Sequence, residues 1–179
     1  MTNIEAILGD ITTAEVDAIV NAANPVMLGG GGVDGAIHKA AGPSLLEECR
    51  KVKKVDGIRC PFGEARITKA GKLKAKYVIH TVGPIFRSDE NPPKTLASAY
   101  RNSLELALEN NCNSIAFPAL SCGAYGFPLN QASYVAINEC SEIEYNRLSI
   151  KFFLFSRDLY DIWKDAIETQ YPISPTRSI

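Results

Sequence analysis

The chain has 179 residues, of which 46% are hydrophobic and 22% are charged, a composition typical of a globular domain with one core. A formal net charge of −1 excludes a general electrostatic attraction to nucleic acid or to an anionic membrane. No apolar run approaches the ~20 residues of a membrane span, and the N-terminus lacks a signal-peptide pattern. We therefore expect a cytoplasmic protein without a membrane or nucleic-acid partner.

Cysteine spacing bears on disulfides and metals. The five cysteines are scattered and form no C-x-x-C pair: Cys49, Cys60, Cys112, Cys122 and Cys140. This spacing argues against a disulfide framework and against a zinc site, and it fits a reducing compartment. We expect neither a metal nor a cofactor.

The first half of the chain alternates strand and helix patterns. A short strand is expected over Ile4–Leu8, and residues 17–22 read as a strand buried on both faces. Between them, Thr12-Thr13-Ala14-Glu15 matches a capping box and predicts one helical turn. Helices are expected over residues 33–41 and 44–53.

The second half continues the alternation. Strands are expected over residues 64–69, 76–82, 114–120 and 150–155, and helices over residues 95–110 and 129–145. A last helix places apolar residues on one face: Leu159, Ile162, Trp163, Ala166 and Ile167. The alternation predicts an α/β fold around a mostly parallel sheet. We expect one domain over residues 1–171, followed by a short polar tail over residues 172–179 that frays.

Two loops with clustered glycines are the most informative part of the sequence. Residues 29–38 read Gly-Gly-Gly-Gly-Val-Asp-Gly-Ala-Ile-His, and residues 121–128 read Ser-Cys-Gly-Ala-Tyr-Gly-Phe-Pro. Each follows an expected strand and leads into a helix, where free backbone N–H groups and the helix dipole bind phosphate. Two such loops predict a ligand with two linked phosphates. Because a carboxylate repels phosphate, Asp34 in the first loop predicts a second task there, although it also fits a helix-start residue.

Four segments follow the carboxyl ends of expected strands: Gly9-Asp10-Ile11, residues 21–34, residues 121–125, and Phe155-Ser156. In open α/β sheets, ligands bind beyond these strand ends. The four segments are therefore expected to line one cleft.

Simpler interpretations exist for each feature. Gly30-x-Gly32-x-x-Gly35 formally satisfies the dinucleotide fingerprint, but residues 24–29 separate it from the strand, and Ala36 stands where a Walker motif needs lysine. Asp10 also fits a turn cap, and Asn24 before Pro25 fits a turn residue. Phe155 also fits the core. Cys122 with His38 or His80 is a conceivable nucleophilic pair, although a buried, inert thiol is the favoured interpretation.

Several motifs together resemble macrodomains of the MacroD type. They are Gly-Asp-Ile-Thr at 9–12, Val-Asn-Ala-Ala-Asn-Pro at 20–25, residues 28–38, His-Thr-Val-Gly-Pro at 80–84, Phe-Pro-Ala at 117–119, and the second glycine loop. The motifs run in the same order from about residue 4 to residue 165. Two positions depart from the family pattern: Cys122 stands where many relatives have threonine, and Ser156 stands where some relatives have an acid.

The resemblance implies a three-layer α/β/α sandwich with a six-stranded mixed sheet that binds ADP-ribose. It implies hydrolysis of O-acetyl-ADP-ribose and removal of mono-ADP-ribose from acidic side chains of proteins. ADP-ribose, its esters and mono-ADP-ribosylated proteins would then be the partners.

The same resemblance assigns roles to individual residues. Asp10 would bind the adenine amino group beside the Ile11 backbone, and Phe155 would stack on adenine. The catalytic residues would be Asp34, which activates water, Asn24, which fixes the distal ribose, and Tyr125, which closes over the ligand. Gly31 would bind the substrate, and the diphosphate would lie against Gly32, Val33, Ser121, Cys122, Gly123, Ala124 and Tyr125. The rival hypotheses are a non-catalytic ADP-ribose reader and a phosphatase acting on ADP-ribose 1″-phosphate.

Overall fold

A mixed sheet organises the computed structural model, which describes residues 3–170. Its strands are β1 (Ile4–Leu8), β2 (Ala18–Ala22), β3 (Ala65–Lys69), β4 (Tyr77–Thr81), β5 (Ser114–Phe117) and β6 (Ser149–Leu154). Their spatial order is β1-β6-β5-β2-β4-β3. All neighbouring pairs are parallel except β3 with β4. The carboxyl ends of five strands therefore share one edge.

Helices cover both faces of this sheet. They are α1 (Gly32–Ala41), α2 (Pro43–Arg50), α3 (Pro92–Glu109), α4 (Leu129–Cys140) and α5 (Arg157–Gln170). Helices α3, α4 and α5 pack in one apolar cluster, and α1 and α2 pack in another. Strand β2 divides its side chains between the two, since Ala18 and Val20 join the first cluster and Ile19 joins the second. This confirms the expected three-layer sandwich.

Several predicted element ends were wrong for identifiable reasons. The helical turn near residue 12 is a 3₁₀ turn over Ile11–Thr13, and its cap is Asp10 rather than Thr12. Strand β5 ends at Phe117 instead of residue 120, because Pro118 has no N–H to continue the ladder. Helix α3 starts at Pro92 rather than at residue 95, with Asn91 accepting a hydrogen bond from the Lys94 amide.

Two other helices are shorter than predicted. Helix α2 ends at Arg50 instead of residue 53, because the Lys51 and Val52 amides form tight turns back to Glu48 and Cys49. Helix α4 ends at Cys140, and residues Ile143–Tyr145 form a separate 3₁₀ turn. The predicted tail over residues 172–179 lies outside the described residues. Within residues 3–170, no helix is long and apolar enough to cross a membrane.

Candidate functional site

A cleft of about 440 Å³ lies at the carboxyl edge of the sheet. It contains three of the four strand-end segments that the sequence predicted, those after β2, β5 and β6. Its lining includes these predicted site residues: Asn24, Gly31, Gly32, Val33, Asp34, Ser121, Cys122, Gly123, Ala124, Tyr125 and Phe155. The sequence therefore predicted most of the wall of one cleft.

The fourth segment stands beside this cleft. Asp10 and Ile11 are not among the residues that line it. The Gly9 amide donates to the Leu154 carbonyl at 3.0 Å, so Asp10 emerges next to the strand end that carries Phe155. The Asp10 carboxylate accepts from the Thr12 amide at 2.9 Å and from the Thr12 hydroxyl at 2.8 Å. Asp10 therefore acts as the turn cap that the simpler interpretation proposed, and its side chain remains exposed.

The first glycine loop presents backbone donors to the cleft. Helix α1 begins directly after Gly31, which supplies no side-chain cap. The first amide to find a helical acceptor is that of Gly35, which donates to the Gly31 carbonyl at 3.3 Å. The amides of Gly32, Val33 and Asp34 have no acceptor among residues 3–170. Three successive unpaired N–H groups at a helix N-terminus form a site for an anion.

Close packing explains two of the loop glycines. A Cβ atom on Gly35 would lie 2.7 Å from the Gly30 carbonyl oxygen, so the loop contacts the helix backbone at this point. A Cβ on Gly30 would lie 3.1 Å from Asp34 Oδ2 and 3.3 Å from Asn24 Nδ2. Asn24 and Asp34 therefore flank the same stretch of bare backbone.

The second loop also offers unpaired amides and is firmly anchored. The Phe127 amide donates to the Ser121 carbonyl, and the Phe86 amide to the Tyr125 carbonyl, each at 2.9 Å. In the described part of the chain, the amides of Gly123, Ala124 and Tyr125 find no acceptor. Two groups of three unpaired amides thus belong to residues that line the cleft.

Ser121 holds the second loop in an unusual conformation. Its φ of 64° is in the left-handed region, which a residue with a side chain rarely adopts. The Ser121 hydroxyl donates to the Pro84 carbonyl at 2.8 Å, and Gly83 is bare where this hydroxyl passes. Such strain is characteristic of functional loops.

Asp34 is the charged group of the cleft, and only 5% of its surface is exposed. Burial raises the pKa of its carboxyl, while a hydrogen bond from Asn21 and the nearby His38 act in the opposite direction. Asn21 Nδ2 donates to Asp34 Oδ1 at 2.8 Å, and His38 Nε2 lies 3.4 Å from the same oxygen. A raised pKa makes Asp34 a stronger base than an ordinary aspartate.

Asn24 and Phe155 both line the cleft. Asn24 Nδ2 donates to the Gly29 carbonyl and Asn24 Oδ1 accepts from the Met27 amide, each at 3.1 Å, so Asn24 also shapes its own turn. Phe155 is 75% exposed, which is unusual for a phenylalanine next to a strand end. It belongs to the cleft rather than to the core.

Tyr125 lies between the cleft and the surface. Its ring centroid is 6.4 Å from that of Phe62. Burial and the charge of Asp34 raise the pKa of the phenol, so it stays protonated and able to donate at neutral pH.

The structure does not support a Cys122–His pair. His80 contacts Asn21, Thr68 and Cys49, and burial raises the pKa of the Cys122 thiol to about 12. The predicted burial of Cys122 was wrong, because this residue is half-buried at the cleft. Its raised pKa nevertheless agrees with the inert thiol that the sequence favoured.

Several functional neighbours were missed by sequence reasoning. Phe153 lines the cleft, and its period-two relation to Phe155 was a usable signal. Asn21 and His38 contact the Asp34 carboxylate, and His80 contacts Asn21. The contact between Asp34 and His38 could have been predicted from the sequence, because the two residues lie one helical turn apart. The contact between Asn21 and His80 could not, because it depends on the order of the strands.

A second depression, of about 540 Å³, lies against the N-terminus of α3 and shares no lining residue with the cleft. It contains none of the glycine loops. Among residues 3–170, no three His, Cys, Asp or Glu side chains are grouped so that they could hold a metal ion.

Residues 20–136 match the model of the Macro domain. The chain belongs to the macro domain family. A macro domain-containing protein of Vibrio parahaemolyticus is 59% identical over 93% of this chain and 98% of its own. An O-acetyl-ADP-ribose deacetylase of Klebsiella pneumoniae is 52% identical over 94% of this chain and 97% of its own.

Solved macrodomains share the fold. A macrodomain of Oceanobacillus iheyensis with ADP superposes with a TM-score of 0.89 at 40% identity, covering 93% of this chain and 90% of that one. A macrodomain of Trypanosoma brucei in complex with ADP-ribose gives a TM-score of 0.81 at 42% identity, covering 92% and 69%. The expected family and fold are therefore confirmed.

The contact between Gly35 and the Gly30 carbonyl provides a test of how this macrodomain builds its first loop. Gly35→Ala inserts a methyl group where 2.7 Å is available. We expect the free energy of unfolding to fall by about 1–3 kcal/mol, because the loop must move away from α1. Urea unfolding measures this change.

Gly31→Ala is the matched control in the same loop. Gly31 has a φ of −94°, and a Cβ there meets nothing within 4 Å. Its free energy of unfolding should stay within about 0.5 kcal/mol of the unmodified protein. Equal stability of the two variants would contradict the packing argument.

Proposed function

We propose that this macrodomain binds ADP-ribose and hydrolyses O-acetyl-ADP-ribose at the distal ribose. The observation that carries the proposal is the placement of the buried Asp34 beside two groups of unpaired amides in one cleft. Amides hold a diphosphate, and the carboxylate next to them has a different task. Relatives at 52–58% identity are named O-acetyl-ADP-ribose deacetylases, which supports the same reaction.

The ligand would extend along the cleft from Phe155 to Asp34. The amides of Gly32, Val33 and residues 123–125 would receive the diphosphate, with Gly31, Ser121 and Cys122 shaping the walls. Phe155, exposed at the end of β6, would stack on adenine. Asp10, which emerges beside it, would accept from the adenine amino group next to the Ile11 backbone.

Asp34 would act as a general base on water. It takes a proton from the water as the water oxygen bonds to the acyl carbon. The ester C–O bond then breaks, the proton passes to the ribose oxygen, and acetate and ADP-ribose leave. Asn24 would fix the ribose hydroxyls through its remaining N–H, and Tyr125 would donate to the ligand. Positioning with general-base assistance supplies about 10²–10⁴-fold.

We extend the proposal to esters formed between ADP-ribose and aspartate or glutamate side chains of proteins. The same carboxylate would direct water at the anomeric carbon, and the protein carboxylate would be the leaving group. Comparing release from O-acetyl-ADP-ribose with release from ADP-ribosylated protein tests this extension. A protein that binds ADP-ribose but releases neither product would be a reader.

Asp34→Ala tests the catalytic step. We expect turnover of O-acetyl-ADP-ribose to fall by about 10²–10⁴-fold, because no other carboxylate lines the cleft in the described residues. ADP-ribose binding, measured by calorimetry, should be largely retained. Unchanged turnover would remove Asp34 from the mechanism.

Asp34→Asn is the control that keeps the side-chain shape. Because burial raises the folded-state pKa of Asp34, the protonated carboxyl favours folding at low pH, and this contribution is lost as the pH rises through the folded-state pKa. We expect Asp34→Asn to raise the free energy of unfolding by about 1 kcal/mol at pH 7, which corresponds to a melting temperature about 2–4 °C higher. This gain should shrink as the pH falls through the folded-state pKa and disappear well below about pH 4, the usual pKa of an aspartate, where the carboxyl is protonated in both the folded and the unfolded state.

Asp10→Ala tests the adenine end separately. Loss of a charge-assisted hydrogen bond should weaken ADP-ribose binding by about 1.5–3 kcal/mol while kcat stays nearly constant. Asp10→Asn, which keeps an oxygen for Thr12, distinguishes loss of the turn cap from loss of the ligand contact. Wild-type affinity in Asp10→Ala would refute the assignment.

A further inference from the structure

We propose that Asn21 and His80 are positioning residues, which hold Asp34 in the orientation that the reaction needs. This inference rests on the proposed function. Its basis is a chain of hydrogen bonds that runs from Asp34 through Asn21 and His80 to Thr68. All four side chains are buried, and the chain passes from α1 across β2 and β4 to β3.

Strand register brings Asn21 and His80 together. They are paired residues on the parallel strands β2 and β4, so their side chains point to the same face of the sheet. Asn21 Nδ2 donates to Asp34 Oδ1 at 2.8 Å and contacts His80 Nδ1 at 3.2 Å. A carboxylate only accepts hydrogen bonds, so the nitrogen of the Asn21 amide must face Asp34.

The contact with Asn21 also fixes the tautomer of His80. Because the Asn21 nitrogen donates, His80 Nδ1 is an acceptor and the ring proton is on Nε2. His80 Nε2 lies 3.0 Å from Thr68 Oγ1, which in turn donates to the Lys69 carbonyl at 3.0 Å. Burial and the neighbouring His38 lower the pKa of His80 to about 3. The imidazole is therefore neutral and keeps this tautomer at neutral pH.

The Asn21 side chain satisfies the Asp34 carboxylate but leaves its own oxygen without a hydrogen bond in the described residues. Asn21 Oδ1 is buried and has no hydrogen-bond partner within residues 3–170. A buried unsatisfied acceptor destabilises a fold, so Asn21 is poorly explained by stability alone. Its nitrogen, by contrast, is fully used on Asp34 and His80. The side chain is therefore placed to orient Asp34.

Other titratable side chains near Asp34 also affect the pH at which its carboxyl titrates. His38 faces it from α1, Tyr125 from the second glycine loop, and Cys49 from α2. Asn21 is the neighbour whose hydrogen bond lowers the Asp34 pKa most strongly against burial. Loss of Asn21 should therefore move the titration of Asp34 to higher pH, and the acid limb of hydrolysis with it.

The first variant in the test is Asn21→Leu, which has a similar shape but no donor. The rate of O-acetyl-ADP-ribose hydrolysis is followed from about pH 4 to pH 9, and the Asp34 carboxyl carbon is titrated by NMR. We expect kcat to fall by about 10- to 100-fold with KM nearly unchanged. We also expect a higher titration midpoint for Asp34.

Thr68 provides a more distant pair of variants. Thr68→Val removes the acceptor for His80 Nε2 while keeping the shape, and Thr68→Ser restores a hydroxyl. Thr68→Val should shift the pH profile of hydrolysis in the same direction as Asn21→Leu. Thr68→Ser should restore the profile of the unmodified protein. Ser103→Ala is the structural control, because the buried Ser103 bonds within α3 to Ala99. It should change stability without moving the pH profile.

The inference is overturned if Asn21→Leu keeps the wild-type kcat and titrates Asp34 at the wild-type pH. Should that variant not fold, a wild-type profile in Thr68→Val overturns it instead. If the unmodified protein does not hydrolyse the ester, the proposed function is contradicted but the inference about Asn21 is not. The NMR titration would still decide whether Asn21 controls Asp34.

Discussion

The burial of one carboxylate at the N-terminus of α1 is the constraint on which the site depends. The start of a helix favours negative charge, but an apolar setting opposes it, and in Asp34 burial has the larger effect on the pKa. The hydrogen bond from Asn21 offsets part of that penalty. The resulting group is more basic than a surface aspartate and lies beside amides that have no partners of their own. Under the proposed function, the stability lost by burying this carboxylate accompanies the basicity that the reaction requires.

The parallel sheet turns this local feature into a site. Because β2, β5 and β6 end at one edge, the loops after them converge without a long excursion of the chain. Gly35 and Gly30 let the first loop contact α1, and Gly83 leaves room for the Ser121 hydroxyl that fixes the second loop. These contacts therefore set the distance between the two groups of amides. A bound diphosphate would have to match this distance.

Much of the fold and of the cleft could be predicted from the sequence, because these features depend on local patterns of residues. The apolar run at 18–20, the glycines before α1 and the aromatic Phe155 each carry their structural meaning within a few residues. The Asp10 cap was one of two interpretations open from the sequence, because Thr12 offered an equally good local signal for the start of the turn. The Asn21–His80 contact was beyond reach for another reason: 59 residues separate the two, and only the order and register of β2 and β4 bring them together. The network under Asp34 is thus a property of the sheet.

A structure of the protein with ADP-ribose bound tests the central claim most directly. The account requires the diphosphate on the amides of Gly32, Val33 and residues 123–125, with the distal ribose against Asp34. The Asp34 carboxylate should keep its hydrogen bond to Asn21. A diphosphate bound elsewhere, or a distal ribose directed away from Asp34, would contradict it.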